Sequence, residues 1–384
     1  MTKTQGLGHK RSKPYILRLP SHVIGDIFCK LPIKTLIYCR CVCKAWRLLL
    51  LDPNFAQLHF ATASSCVLLR FTNPPFRGLG LYDFEDAESG DSAAIVFTKQ
   101  HNIPKLEIEL SSSFNGLLCF RDLGCIEPLY VSNPITGEYM TIPTVGKNSM
   151  GYRFVYGFGI SPNSSQCKVI RISTARPYGE KWEAMVYALG AGAWRSIGDV
   201  PYQFFNQPFG ACLNGALHWR ASSFSGASEL ICCFDLENEE FRLLPLPPCY
   251  HERRFCSIKL GVLGGCLYMS GFDPTCSYPD VEIWVMKEYG VEESWTKEIF
   301  IKHPKEKWWE MYYLKLIKVL KNGEILLLCN SYLVWYNPGK ESFRRLEFDG
   351  VPSTVEAISH VPSFVSLKDV AMGERWRVFN ARLR

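Results

Sequence analysis

No run of about 18 uncharged apolar residues occurs in the 384-residue chain, and no apolar segment follows its charged N-terminus. The sequence therefore predicts neither a membrane-spanning helix nor secretion, and the expected location is cytoplasmic and/or nuclear. There is also no Gly-rich loop with Gly-Lys-Ser/Thr, no His-Glu-x-x-His and no Gly-x-Ser-x-Gly. Gly157 and Gly159 sit in a strand pattern with no helix behind them to cradle a phosphate. Asn163-Ser164-Ser165 reads as a turn. The histidines are single and scattered, with His218 beside Trp219 reading as core. Nothing nominates a nucleophile with its base, so a non-catalytic protein is expected.

Acid is missing from Met1–Arg18, which holds five Lys/Arg, and scarce in Ala371–Arg384, where Glu374 stands among four Arg. With these segments set aside, residues 19–370 are nearly neutral. The net charge of +6 therefore describes two tails expected to be mobile, and no nucleic-acid partner is expected. Lys10, Arg11 and Lys13 read as a short nuclear-import patch or simply as a solvated run.

What is present is apolar and aromatic: 47% hydrophobic residues, with 24 Phe, 18 Tyr and 10 Trp. That composition describes a folded chain with ample core material. The sixteen cysteines are spread over a long chain without a leader and read as reduced, buried thiols. Cys39, Cys41 and Cys43 alternate within an apparent helix, where only Cys39 and Cys43 share a face. Cys249, His251 and Cys256 form a looser group. Neither offers four ligands at zinc-like spacing, so no metal and no cofactor are expected.

Residues 15–60 read as three short helices. Ser21 is the expected N-cap of the first, Pro32 suits the first turn of the second, and Asp52 before Pro53 stops the third. Val23, Ile24, Ile27, Phe28 and Leu31 give the first helix a wide apolar face. Leu48 to Leu51 place apolar side chains all round the third. A unit of about 40 residues buries too little of its own surface to cover them. Either the rest of the chain or another protein must do so.

The order of residues is specific: Leu19-Pro20, Val23-Ile24, Ile27-Phe28, Leu31-Pro32, Ile33-Lys34-Thr35-Leu36, Cys39-Arg40, Val42-Cys43-Lys44 and Trp46. It closely resembles the F-box motif, with Ser21 and His22 where acidic residues are frequent. The resemblance implies docking on a Skp-type adaptor and, through it, on a cullin-RING ubiquitin ligase. Carried over by position, Leu19, Pro20, Ile24, Ile27, Leu31, Pro32 and Leu36 would face the adaptor. Val42, Cys43 and Trp46 would join the helices and complete the interface.

From about residue 66 short apolar runs alternate with turn signals. Turns at Asn115-Gly116, Asn214-Gly215, Gly264-Gly265 and Asn322-Gly323, with a degenerate copy at Ser161 to Ser165, recur roughly every fifty residues, as blades of a β-propeller do. LYVSNPITGEYMTIP, LICCFDLENEEFRLLPLP and YLVWYNPGKESFRRLEF repeat in wording as well. They resemble the F-box-associated domain of a very large plant family. The expected fold is thus α+β by segregation: a three-helix F-box and an all-β, kelch-like propeller of about six four-stranded blades. Val355 to Leu367 would complete a blade begun by Val67–Phe71, Gly80–Phe84 and Ala94–Lys99. The expected division is a flexible basic tail over 1–14, the F-box over 15–60, the propeller over 61–367 and a basic tail over 368–384.

The long loops of this repeat all project from one end. They carry Tyr202, Phe204 and Phe205; Tyr250, His251, Arg253 and Arg254; Tyr278; and Lys305, Trp308 and Trp309. Aromatic residues with arginine on irregular loops suit recognition of a client protein, although Trp308 and Trp309 also suit packing between blades. The resemblance implies a client-binding subunit of an SCF-type ligase. A carbohydrate- or small-ligand-binding propeller that recruits ligand-bearing clients, or a propeller enzyme, are the alternatives.

Overall fold

The computed structural model describes residues 19–71, 78–85, 93–97, 108–122, 128–145, 154–174, 182–205, 209–224, 229–251, 255–273, 280–303, 314–347, 355–371 and 379–380. The N-terminal part holds four helices, not three: α1 (Ser21–Cys29), α2 (Ile33–Val42), α3 (Lys44–Leu50) and α4 (Pro53–Thr62). Asp52 is the reason for the fourth. Besides ending α3 it caps α4, its Oδ1 accepting from the amides of Asn54 at 2.8 Å and Phe55 at 3.3 Å, with Pro53 in the first turn. Two further boundaries differ from the sequence reading. Pro20, not Ser21, occupies the N-cap of α1. Cys43 is extended, with φ −156° and ψ 163°, and separates α2 from α3. Cys39 and Cys43 therefore share no helix face. No helix among the described residues is long and apolar enough to cross a membrane.

The rest is a six-bladed propeller. Blade 2 runs Ile108–Phe114, Leu117–Asp122, Leu129–Asn133, Glu138–Thr141, and blade 3 runs Phe154–Ile160, Cys167–Thr174, Trp182–Ala188, Arg195–Val200. Blade 5 runs Cys256–Leu263, Cys266–Phe272, Val281–Met286, Trp295–Ile301, and blade 6 runs Leu314–Val319, Ile325–Cys329, Tyr332–Asn337, Ser342–Arg345. In blade 4 two pieces, Tyr202–Phe204 and Ala211–Leu213, share the innermost edge before Ala216–Ser223, Glu229–Asp235 and Phe241–Leu244. Blade 1 closes the ring. Val355–His360 pairs antiparallel with Cys66–Phe71, from Cys66↔His360 to Phe71↔Val355, followed by Gly78–Asp83 and Ala93–Phe97. This joining of the two ends, expected from the sequence, pairs the edge that Cys66–Phe71 would otherwise leave open.

Period-two alternation fills the space between blades. In Cys66–Phe71 the even positions Cys66 and Leu68 pack toward blade 2, and Val67, Leu69 and Phe71 pack toward blade 6. Gly157 is a strand glycine for the same reason: a Cβ there would stand 2.5 Å from Leu217 and 2.7 Å from Trp219 of blade 4. The repeated Asn or Asp is a turn cap. Asn133, Asp235 and Asn337 each end a third strand and accept backbone amides of the turn that follows.

The C-terminal segment does not behave as a separate tail. After the closing strand it crosses beneath blade 2, where the buried Asn133 amide donates to the carbonyls of Ser363 at 2.9 Å and Val365 at 2.7 Å. A Cβ on Gly116, which has φ +75°, would fall 2.1 Å from Ser363 Cβ, so this crossing needs glycine. A short helix α5 (Leu367–Ala371) follows with Leu367 and Ala371 buried, and Phe379–Asn380 adds a strand beside Glu138 and Tyr139. The contacts of Ser363, Val365 and Leu367 fall within the propeller bounds expected from the sequence, and α5 carries the packed chain on to Ala371, four residues further.

Candidate functional site

The strand directions divide the propeller into two ends. Turns between first and second strands, and between third and fourth, lie at one end. The strand ends that flank the longer connections, such as Thr174 and Trp182, Ser223 and Glu229, or Ile301 and Leu314, lie at the other.

The helices sit at the tight-turn end, across blades 1 and 2. Phe28 packs edge-on against Trp46 at 5.0 Å and Phe55 at 6.4 Å. Phe55 and His59 of α4 then meet Phe364 at 5.9 and 5.4 Å. Phe364 is 1% exposed and belongs to one continuous core with Leu118, Phe120 and Ile135 of blade 2. Arg40 Nη1 adds a bond of 2.6 Å to the Ile135 carbonyl. The chain's own propeller thus covers one side of the helical unit.

The other side stays open. Leu19 and Ile27 are each 39% exposed and Val42 is 62% exposed. Pro20 and Pro32 are exposed, and Leu31 is half-buried. Two positions expected to face a partner point inward instead: Ile24 is 7% exposed and Leu36 is fully buried, both in the core shared with blades 1 and 2. Cys43 and Trp46 are half-buried, with Cys43 Sγ accepting the Trp46 amide at 3.5 Å as the cap of α3. Val42 does not join helices; it lies on the surface because α2 ends there. Tyr38, Leu48 and Leu58 are also exposed and escaped the sequence reading. For Tyr38 a signal existed, since it stands four residues before Val42 and so shares its stripe on α2.

At the long-loop end the outcome is mixed. Tyr202–Phe204 is a strand, not loop, and its alternation sends Phe204 inward to 4% exposure, against Trp182 at 5.4 Å and Trp219 at 5.9 Å. Phe204 is core and offers nothing to a client. Tyr202 is half-buried. Phe205 lies under the guanidinium of Arg220, 4.1 Å from it. Tyr250 stacks on Phe255 at 6.0 Å, and its hydroxyl donates to Glu229. Burial pushes the Tyr250 hydroxyl pKa up, and the Glu229 bond adds to the effect. Burial acts to raise the Glu229 pKa, but the bonds from Arg220 and Tyr250 outweigh it and hold this carboxyl below its usual range. Arg220, which no sequence signal singled out, is therefore the hub joining Phe205, Glu229 and Tyr250. The side chain of His251, and Arg253, Arg254, Tyr278, Lys305, Trp308 and Trp309, lie outside the described residues.

Among the described residues no group of three or more His, Cys, Asp or Glu is placed to hold a metal. His218 is buried, with Nδ1 2.9 Å from the Ala211 carbonyl and Nε2 2.7 Å from Tyr289 Oη, and burial lowers its pKa to about 4. A cavity of about 470 Å³ opens at the tight-turn end, lined by Phe114, Asn115, Ile160, Ser161, Pro162 and Asn214 among others. It carries no charged side chain.

Comparison with known proteins decides the family. The model of the F-box associated beta propeller domain matches residues 82–370, and that of the F-box domain matches residues 16–58. The chain belongs to the F-box-associated β-propeller family of plant F-box proteins. Among its relatives, the Arabidopsis thaliana F-box protein At3g07870 is 30% identical over 381 residues, covering 89% of this chain and 90% of that one. The F-box protein CPR1 of the same plant is 29% identical over 383 residues, covering 90% and 88%. Among solved structures, an Aleuria aurantia lectin aligns over 76% of this chain and 96% of its own at 11% identity and a TM-score of 0.37. That likeness is too remote to carry an argument. The open side of α1 to α3 is therefore the F-box surface of an F-box protein, mounted at the end of the propeller opposite its long loops.

Proposed function

We propose that this F-box protein is the client-binding subunit of an SCF-type ubiquitin ligase. Its F-box docks a Skp-type adaptor, and through it a cullin-RING core, while the long-loop end of the propeller holds a client protein for ubiquitination. The reading is supported above all by the apolar surface left on the helices after the propeller has covered their other side. Leu19, Ile27 and Val42 stay exposed on an otherwise well-packed unit, as a partner-binding surface requires. Such a receptor works by effective concentration, holding the client near the ubiquitin-charged enzyme, and supplies no chemistry of its own.

Packing also dictates how the reading is tested. Deleting residues 19–50 would strip Phe28 from Phe55 and Arg40 from the Ile135 carbonyl, so changes confined to exposed positions are the cleaner probe. Replacing Leu19 and Pro20 by Ala, or Ile27 by Asp, is expected to abolish co-purification with the adaptor while the melting temperature stays within about 2 °C of the parent. Undiminished adaptor binding by both variants would overturn the reading.

A further inference from the structure

The tight-turn end of the ring carries a cavity that neither the F-box nor the long loops account for. First strands of neighbouring blades lie against one another all round the ring, so their turns into the second strands encircle one mouth of the central channel. Three of those turns, from blades 2, 3 and 4, wall the cavity of about 470 Å³, a volume typical of ligand sites. Phe114, Ile160 and Pro162 give it an apolar lining, and its polar lining includes Asn115, Ser165 and Asn214.

The walls are held in place by the protein itself. Glu237, on the outer turn of blade 4, accepts the amides of Asn163 and Ser164 at 3.2 and 3.3 Å, and Ser161 Oγ donates to the Leu236 carbonyl at 2.8 Å. A Cβ on Gly215 would stand 2.3 Å from Pro162, so the turns of blades 3 and 4 touch. The blade 2 turn is seated in the same way on Ser363, one residue before the Phe364 on which α4 packs.

Three residues of the lining have a backbone that glycine adopts more easily. Asn115, Ser165 and Asn214 have φ of 48°, 54° and 51°. Blade 5 turns at the equivalent point with Gly264 and Gly265, at φ 57° and 79°, close to 48° and 75° at Asn115-Gly116 and 51° and 70° at Asn214-Gly215. The fold therefore accepts glycine here, and the carboxamides of blades 2 and 4 are not needed to make the turn. Nor do they brace it, since neither Asn115 nor Asn214 makes a side-chain hydrogen bond among the described residues. Asn322 of the blade 6 turn, outside this cavity, behaves differently. Its Oδ1 accepts the Glu324 amide at 2.9 Å and its Nδ2 donates to the Glu324 carboxylate at 3.2 Å.

We infer that this cavity binds an uncharged peptide segment in extended form, gripped by its main chain. In an extended strand the N–H and C=O of one residue point to the same side, and a carboxamide presents an acceptor and a donor that match both at once. Carboxamides on two separate walls hold two residues along such a segment, while Phe114, Ile160 and Pro162 supply apolar contact for small side chains. No charged side chain lines the site, so an ionic ligand gains nothing there, and main-chain bonds give affinity without demanding one sequence. The cavity opens at the end that bears the F-box, so the segment belongs to a protein assembled at that end and not to the client held at the long loops. That placement rests on the receptor reading above; the peptide site does not.

The test uses the full chain and saturation-transfer NMR with an acetylated, amidated pentapeptide of alanine and serine. Saturable binding is expected, weakened about tenfold in Asn115→Gly and in Asn214→Gly, as the loss of two neutral hydrogen bonds implies, and unchanged in Asn322→Gly. Glycine keeps each turn, so melting temperatures should stay within about 2 °C of the parent. Methylating the main-chain nitrogens of the peptide should abolish binding. Absence of saturable binding, binding that neither Asn115→Gly nor Asn214→Gly weakens, or equal binding of the methylated peptide would overturn the proposal, as would binding of methyl α-glucoside in the peptide's place. The Leu19 and Pro20 replacements, which leave this cavity intact, test the receptor reading separately.

Discussion

Phe364 is the residue through which the F-box leans on the propeller, and Phe364→Ala is the sharpest test of that coupling. The ring is 1% exposed and touches Phe55 and His59 of α4 on one side and the blade 2 core on the other. Truncating a buried phenylalanine costs about 3–5 kcal/mol through lost transfer energy and the cavity left behind. In a two-state unfolding experiment that is a fall in melting temperature of several degrees. The location of the damage matters more than its size. Hydrogen exchange should show Ser21–Thr62 losing protection while blades 3 to 6 keep theirs, because this ring packs with the helices and with blades 1 and 2. A double-mutant cycle with Phe55→Ala should return about 0.5–1.5 kcal/mol of coupling, the value of an aromatic pair beyond its buried area. Adaptor affinity should hold within a few-fold, since Leu19, Ile27 and Val42 lie on the far side. Equal protection losses throughout the ring, or strictly additive single effects, would refute the idea that Phe364 fixes the F-box.

Three other expectations follow from buried polar groups. His360 is buried in the closing strand with Nδ1 2.9 Å from Ser113 Oγ, and burial lowers its pKa from 6.5 to about 3. Its neutral form is the folded one, so stability is intact above pH 6.5 and falls as the pH drops toward 3, by about 2 kcal/mol at pH 5. Urea titrations at pH 7 and 5 should show a smaller loss for His360→Gln than for the parent. Lys315 has the opposite sense. Its folded-state pKa is lowered to about 8, so its charge destabilises the fold below that value and the penalty fades between pH 8 and 10.5. Lys315→Met should gain up to about 2 kcal/mol at pH 7, allowing for its partial exposure, and progressively less as the pH rises to 10. Asn133→Ala should cost about 1–3 kcal/mol by stranding the carbonyls of Ser363 and Val365, seen as accelerated proteolysis beyond residue 360.

The sequence by itself determined the repeat. Strand periodicity and turn dipeptides such as Asn115-Gly116 and Asn214-Gly215 are local, because φ > 0 is tolerated by few residues. The completion of blade 1 by Val355–His360 was legible as well, since three leftover strands at one end and one at the other leave little choice. The F-box pattern was legible as an order of residue types. What tertiary structure alone decided is direction. Ile24 and Ile27 are both apolar and three residues apart, yet one is buried in the core shared with blades 1 and 2 and the other turns toward solvent, and only the way the helices rest on those blades sets which. Phe204 and Phe205 are neighbours of one type, and a single strand register sends the first into the core and the second beneath Arg220. The Arg70–Glu356 pair was invisible for the same reason. Its two members stand 286 residues apart and meet only because the ring closes, since electrostatic interaction depends on distance in space and sequence separation says nothing of it.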